Sequence, residues 1–220
     1  MSLKQSLKKF LQIDEVIITS GGGETDMERK ELGFQAAKVL QGVLHPGSVL
    51  AVSGGSTMAN MADALPAKKC QATIIPARGG IGERVEYQAN VIASVIAERI
   101  GSTYKMLHLP DGLSQDALSI LMNMEPQIKE VMELAKQTDI LIFGIGEALH
   151  MAAQRHITDA QRSTLRAKRA VGEALGYYCD ISGNIVYTTN NVGIALTDIE
   201  SIPHVIAVAG GAGKAKAIIG

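Results

Sequence analysis

Six short apolar runs rich in β-branched residues, at 16–19, 49–53, 73–76, 105–109, 140–143 and 205–209, limit what this chain can fold into more than any other feature. Runs of this length, apolar on both faces, suit strands covered on both sides, although periodicity alone does not separate them from buried helix. The flanks decide for strands. Five runs are followed by glycine-rich turns: Ser20-Gly21-Gly22-Gly23, Ser53-Gly54-Gly55, Arg78-Gly79-Gly80, Gly144-Ile145-Gly146 and Gly210-Gly211-Ala212-Gly213. The run at 105–109 is followed by Pro110-Asp111-Gly112. Between the runs lie segments of helical spacing, such as 27–43, 59–65 and 86–100, where Ile92, Ile96 and Ile100 share one face.

Strand, glycine turn and helix in repetition predict an α/β fold, a Rossmann-like parallel sheet with helices on both faces. Right-handed crossovers then set nearly all the glycine turns along one edge of the sheet, where ligands of open α/β sheets bind. Residues 176–187 break the alternation, with two apolar arms around Ser182-Gly183-Asn184. They predict a β-hairpin and a small antiparallel subdomain. A short helix is expected over 214–220.

Composition narrows the function. Among 220 residues, 46% are hydrophobic and 20% charged, which excludes disorder as a description of the whole chain. A net charge of -1 gives no general attraction to nucleic acid. Cys70 and Cys179 have no partners at metal-ligand spacing and read as buried thiols of a reducing compartment. The first ten residues lack the apolar core of a signal peptide, and no apolar segment reaches the roughly 18 residues of a membrane span. A cytoplasmic protein without membrane contact is expected. His45, His108, His150, His156 and His204 show no paired ligand spacing and no Gly-x-Ser-x-Gly elbow occurs, so they are read as structural, with no metal or cofactor expected. The basic run Arg162, Arg166, Lys168 and Arg169 has Asp159 and Glu173 around it and no interleaved aromatics, so it reads as a solvated helix face.

The candidate binding residues lie at the strand ends. Gly54 and Gly55 allow close backbone approach, and Ser56 and Thr57 supply hydroxyls at a helix start whose free N–H groups favour an anion. Equally, Ser56 on its own would serve as an N-cap. Arg78 beside Gly79 can hold a phosphate bidentately or pair with a structural carboxylate. Lys214 follows a glycine-rich loop, yet Val208 and Ala215 stand where a nucleotide loop requires Gly and Ser or Thr, which argues against an ATPase while still leaving the lysine suited to a phosphate. Leu149 likewise spoils a dinucleotide fingerprint at Gly144-Ile145-Gly146. Arg155 reads either as a contact to a second anionic group or as part of a solvated face. Glu173 reads either as an acceptor for sugar hydroxyls or as a surface carboxylate.

Five ordered motifs, 53–58, 76–80, 139–147, 171–178 and 209–215, resemble the sugar-binding domain of the SorC family of bacterial transcription regulators. The resemblance runs from about residue 15 to 220 and is to a repressor of glycolytic genes. It implies a fold like the sugar-phosphate isomerases and glucosamine-6-phosphate deaminases, a homo-oligomer (dimer or tetramer), and fructose 1,6-bisphosphate as inducer. It implies that Gly55, Ser56, Thr57, Arg78 and Lys214 surround phosphate groups, Arg155 the other end of the sugar, and Glu173 a hydroxyl. It also implies an N-terminal helix-turn-helix domain that contacts operator DNA and for which these residues leave no room. The alternative on the same fold is a sugar-phosphate isomerase or deaminase, for which Asp111 and Glu147 are the acid-base candidates.

Overall fold

The runs at 49–53, 73–76, 140–143 and 205–209 form strands whose bounds lie within one residue of those expected. The computed structural model describes residues 2–20, 25–80, 84–110, 112–155, 157–189 and 192–220. The glycine run 21–23, Asp111 and His156 fall outside them. In chain order the elements are α1 (Leu3–Leu11), α2 (Asp26–Val43), β1 (Val49–Val52), α3 (Ser56–Ala64), β2 (Thr73–Pro76), α4 (Ala89–Arg99), β3 (Thr103–Tyr104), α5 (Gln115–Met124), α6 (Pro126–Ala135), β4 (Ile140–Gly144), β5 (Gly146–Glu147), α7 (Ala148–Gln154), α8 (Asp159–Ala167), β6 (Gly172–Ala174), β7 (Tyr177–Cys179), β8 (Ile185–Thr188), α9 (Leu196–Ile199), β9 (His204–Val208) and α10 (Ala215–Ile219). Short 3-10 turns occupy Val85–Tyr87 and Ala212–Lys214.

The main sheet is parallel, in the order β3-β2-β1-β4-β9. Side chains alternate between its faces, as the period of two requires. Leu50, Val52, Ile74, Ile140 and Ile142 pack under α2, α3 and α4, whereas Val49, Ala51, Ile75 and Leu141 pack against Leu118 of α5 and Val131 of α6. Each fully buried aliphatic side chain contributes about 1.5–3 kcal/mol. The chain order reverses between β1 and β4, so their following loops diverge and open a crevice at the strand C-termini.

Two of the six runs behave differently. Residues 16–19 are not a strand, and Ile17 and Ile18 keep about half their surface in solvent (46% and 50%). β3 and β9 form the two edges of the main sheet, and among the described residues 16–19 pair with neither. The run at 105–109 is preceded by the strand rather than forming it. There the buried Asn90 of α4 donates to the Leu107 carbonyl at 3.1 Å and accepts from its N–H at 2.9 Å, supplying what a ladder would have supplied.

The expected hairpin is larger than a hairpin. β5, β6, β7 and β8 form an antiparallel sheet, with α7 and α8 packed on Tyr178 through Ala148, Ala152 and Leu165. The final helix starts after a 3-10 turn that contains Lys214. Cys70 and Cys179 are free but half-buried, not buried as the sequence suggests. α8 is the expected solvated face, with Arg162 paired to Asp159 at 2.5 Å and Arg166, Lys168 and Arg169 exposed.

Candidate functional site

A cavity of about 520 Å³ lies in the crevice at the strand C-termini, lined by the loops after β1, β2, β4 and β9. Ser53 ties two of these loops together, its hydroxyl accepting from the Gly144 N–H at 3.1 Å. Gly54, Gly55, Ser56, Thr57, Arg78, Gly79, Arg155, Glu173 and Lys214, drawn from five separate stretches of sequence, all line this one cavity.

The start of α3 is open toward it. Gly55 is the N-cap residue, with φ 121°, a conformation that L side chains rarely adopt. Ser56 is therefore the first helical residue and not the cap, and no side chain caps the helix. Gly55, Ser56, Thr57 and Met58, the first residues of this helix end, line the cavity, and the free N–H groups of such an end favour an anion.

On the opposite wall lies a buried charge cluster. Glu173 of β6, 2% exposed, is 3.1 Å from the Arg155 guanidinium and 3.8 Å from that of Arg78. A two-residue turn at Leu175 and Gly176 (φ 51° and 87°) joins β6 to β7 and brings the Gly176 N–H back to the Glu173 carboxylate. Glu173 thus positions two arginines, where the sequence suggested only a hydroxyl acceptor or a surface carboxylate. Arg155 is 16% exposed, and its Nε and Nη1 are buried with no hydrogen-bond partner among the described residues. Those donors suit an anionic ligand in the cavity.

Arg78 is held by its backbone as well. Residues 192–194 cross it as a short antiparallel bridge, with the Gly79 N–H donating to Val192 at 2.7 Å and Ile194 donating to Ala77 at 2.9 Å. Gly193 fits only as glycine: a Cβ would meet the Ala77 carbonyl oxygen at 2.3 Å.

Lys214 reaches the cavity from the last loop. Burial pushes its ammonium below the ordinary value, and the nearby Arg29 cation pushes in the same direction. Arg29, Gln88, Asn90 and His150 also line the cavity, and none of them is among the binding residues expected from sequence. Arg29 has no motif around it. It arrives through packing, because Gly33, one turn further along α2, lies so close to α3 that a Cβ would meet Asn60 at 2.8 Å.

The acid-base candidate Glu147 is engaged otherwise. Its carboxylate caps α7, accepting from the N–H groups of Leu149 at 3.2 Å and His150 at 2.7 Å. Among the described residues no His, Cys, Asp and Glu cluster could hold a metal, and no helix is long and apolar enough to cross a membrane.

A doubly wound sheet with a cavity lined by cationic side chains at its switch point has the architecture of a small-molecule binding domain. The family model "Putative sugar-binding domain" matches residues 1–220. The central glycolytic genes regulators of Bacillus subtilis and Priestia megaterium are 38% and 37% identical to the chain over 98% of its length. The chain spans 64% of the length of each. The structure of a SorC family transcriptional regulator from Enterococcus faecalis superposes with a TM-score of 0.89 at 36% identity, covering 98% of this chain and 89% of that one. A sor operon regulator from Shigella flexneri shares the fold at 21% identity, with a TM-score of 0.87 over 99% of this chain and 89% of its own. The chain belongs to the sugar-binding domain family of SorC-type transcriptional regulators.

Proposed function

We propose that this chain is the effector-sensing domain of a bacterial repressor of glycolytic genes, and that its cavity takes a phosphorylated sugar, fructose 1,6-bisphosphate above others. The charge of the cavity carries the reading. Among its described lining residues, the cations Arg29, Arg78, Arg155 and Lys214 face the single carboxylate Glu173. A sugar bisphosphate, with about -3 to -4 charges near neutral pH, offsets that excess, and the open start of α3 adds further attraction. The volume lies in the range of roughly 300–1,000 Å³ usual for small-molecule sites. The relatives named central glycolytic genes regulators support the regulatory role.

Binding without turnover needs no general base, and Glu147 spends its carboxylate on a helix cap. The ligand acts by population shift, favouring a conformation or assembly of a homo-oligomer that releases operator DNA. The operator itself is contacted by a helix-turn-helix segment outside these 220 residues.

The test is thermal unfolding with fructose 1,6-bisphosphate, fructose 6-phosphate, glucose 6-phosphate, glucosamine 6-phosphate and ribose 5-phosphate, each mixture being read afterwards for product. Ligand at 100 times Kd adds about 2.7 kcal/mol, a rise in Tm of roughly 5–11 °C at this chain length. The expected result is the largest shift with unchanged bisphosphate, lost in Arg78→Ala and Thr57→Ala. Conversion of a monophosphate to product would replace this reading with an isomerase or deaminase.

A further inference from the structure

Arg29 stands apart from the other cavity cations because a carboxylate outside the cavity lining holds it. Its guanidinium is 2.5 Å from Asp26, one turn back on α2, and its side chain is 37% exposed against 87% for Asp26. Thr25 and Glu28 fix this turn with a capping box, so Asp26 and Arg29 are presented from a formed helix end. Arg29 borders both the main cavity and a smaller cleft of about 270 Å³ between α2 and α3, together with Ser56, whereas Asp26 borders only the cleft. Arg29 therefore lies on the boundary between the Asp26 carboxylate and the space in front of Lys214 and the open start of α3.

We propose that Arg29 is a ligand-binding cation for which Asp26 competes: a phosphate entering the cavity beside Lys214 draws the guanidinium from the Asp26 carboxylate, and Asp26 thereby sets the affinity for the effector. This rests on the reading of the cavity as a phosphorylated-sugar site. The chemistry favours the exchange. A phosphate dianion offers more charge and more acceptor oxygens than a carboxylate, and the cavity screens less than the solvent around Asp26. Burial chiefly, and repulsion from Arg29 in addition, hold the Lys214 ammonium down, and an anion between the two cations, not Asp26, relieves that repulsion.

The experiment is a double-mutant cycle on the 220-residue chain, read as the Kd for fructose 1,6-bisphosphate by titration calorimetry. Arg29→Gln is expected to weaken binding about tenfold, the value of one charge-assisted hydrogen bond. Asp26→Asn is expected to tighten it about two- to threefold, the size of an exposed ion pair. The decisive result is the double variant: Asp26→Asn has no effect once Arg29 is Gln. A gain from Asp26→Asn that persists in the Arg29→Gln background overturns the proposal, because it reports only a change in general field. Equal binding by Arg29→Gln and the parent chain overturns it as well. Arg78→Ala, measured alongside, separates this inference from the reading beneath it. If the parent binds, Arg78→Ala does not, and the cycle is flat, only the role of Arg29 fails; if Arg78→Ala binds normally or the parent does not bind, the cavity assignment fails and the proposal with it.

Discussion

Replacing Glu173 by Gln separates its two possible roles. The substitution preserves shape and an acceptor for the Gly176 N–H but removes the charge that Arg155 and Arg78 share at 3.1 and 3.8 Å. Breaking a buried ion pair by deleting one partner costs about 3–5 kcal/mol, because the remaining charge is left uncompensated. Arg155 retains 16% exposure beside the cavity, so the lower end, about 3 kcal/mol, is appropriate. At 220 residues each kcal/mol moves Tm by about 2–4 °C, giving an expected fall of roughly 6–12 °C in the ligand-free chain by calorimetry or circular dichroism. Excess fructose 1,6-bisphosphate should recover part of the loss by supplying a second anion to both arginines. A ligand-free Tm within about 2 °C of the parent, with only binding impaired, would refute the positioning role and return Glu173 to the hydroxyl acceptor implied by family resemblance.

Other perturbations test other walls of the cavity. Lys214 has its ammonium held below the ordinary 10.5 by burial and by Arg29, so the unfolded chain binds that proton more tightly than the folded one. Its burial thus costs stability at neutral pH, a cost relieved as pH rises from the lowered value toward 10.5, and Lys214→Met should raise the ligand-free Tm at pH 7 with a gain that shrinks toward pH 10.5. A bound phosphate favours the charged ammonium, so calorimetry in two buffers of different ionisation enthalpy, taken stepwise from neutral pH toward 10.5, should show proton uptake on binding that grows with pH; its absence throughout would contradict the placement of Lys214 against the ligand. Gly193→Ala forces a Cβ to within 2.3 Å of the Ala77 oxygen at φ 144°, and a loss of about 3 kcal/mol is expected by denaturant titration, with weakened ligand binding because Arg78 shifts with the bridge.

Much of the fold is legible in the sequence, because β1, β2, β4 and β9 are buried strands whose apolar runs end at turn residues. That signal fails where tertiary context decides. Residues 16–19 have the composition of a strand but pair with neither edge of the main sheet, and Leu107 has its backbone satisfied by Asn90, a residue no local pattern connects to it. The antiparallel sheet was visible only as the 176–187 hairpin, since β5 and β6 are two and three residues long, too short to carry an alternation.

The site divides along the same line. Residues at the ends of recognisable strands, Gly54 to Thr57, Arg78, Gly79 and Lys214, could be assigned because the topology of a doubly wound sheet brings every strand C-terminus to one edge. Arg29 could not, because it enters from the side of a helix, and only the close contact of Gly33 with Asn60 sets that helix low enough for its side chain to border the cavity. The position of Glu173 is legible in the sequence but its partners are not, since a carboxylate read alone is an acceptor for any donor. What fixes its role is the two guanidiniums facing it, one delivered by β2 and one by α7. A lone charged residue in a motif therefore defines where a site is, whereas the work it does follows from the charge balance of everything around it: among the described lining residues one carboxylate stands against four cations, so Glu173 pairs with two arginines and leaves a positive excess.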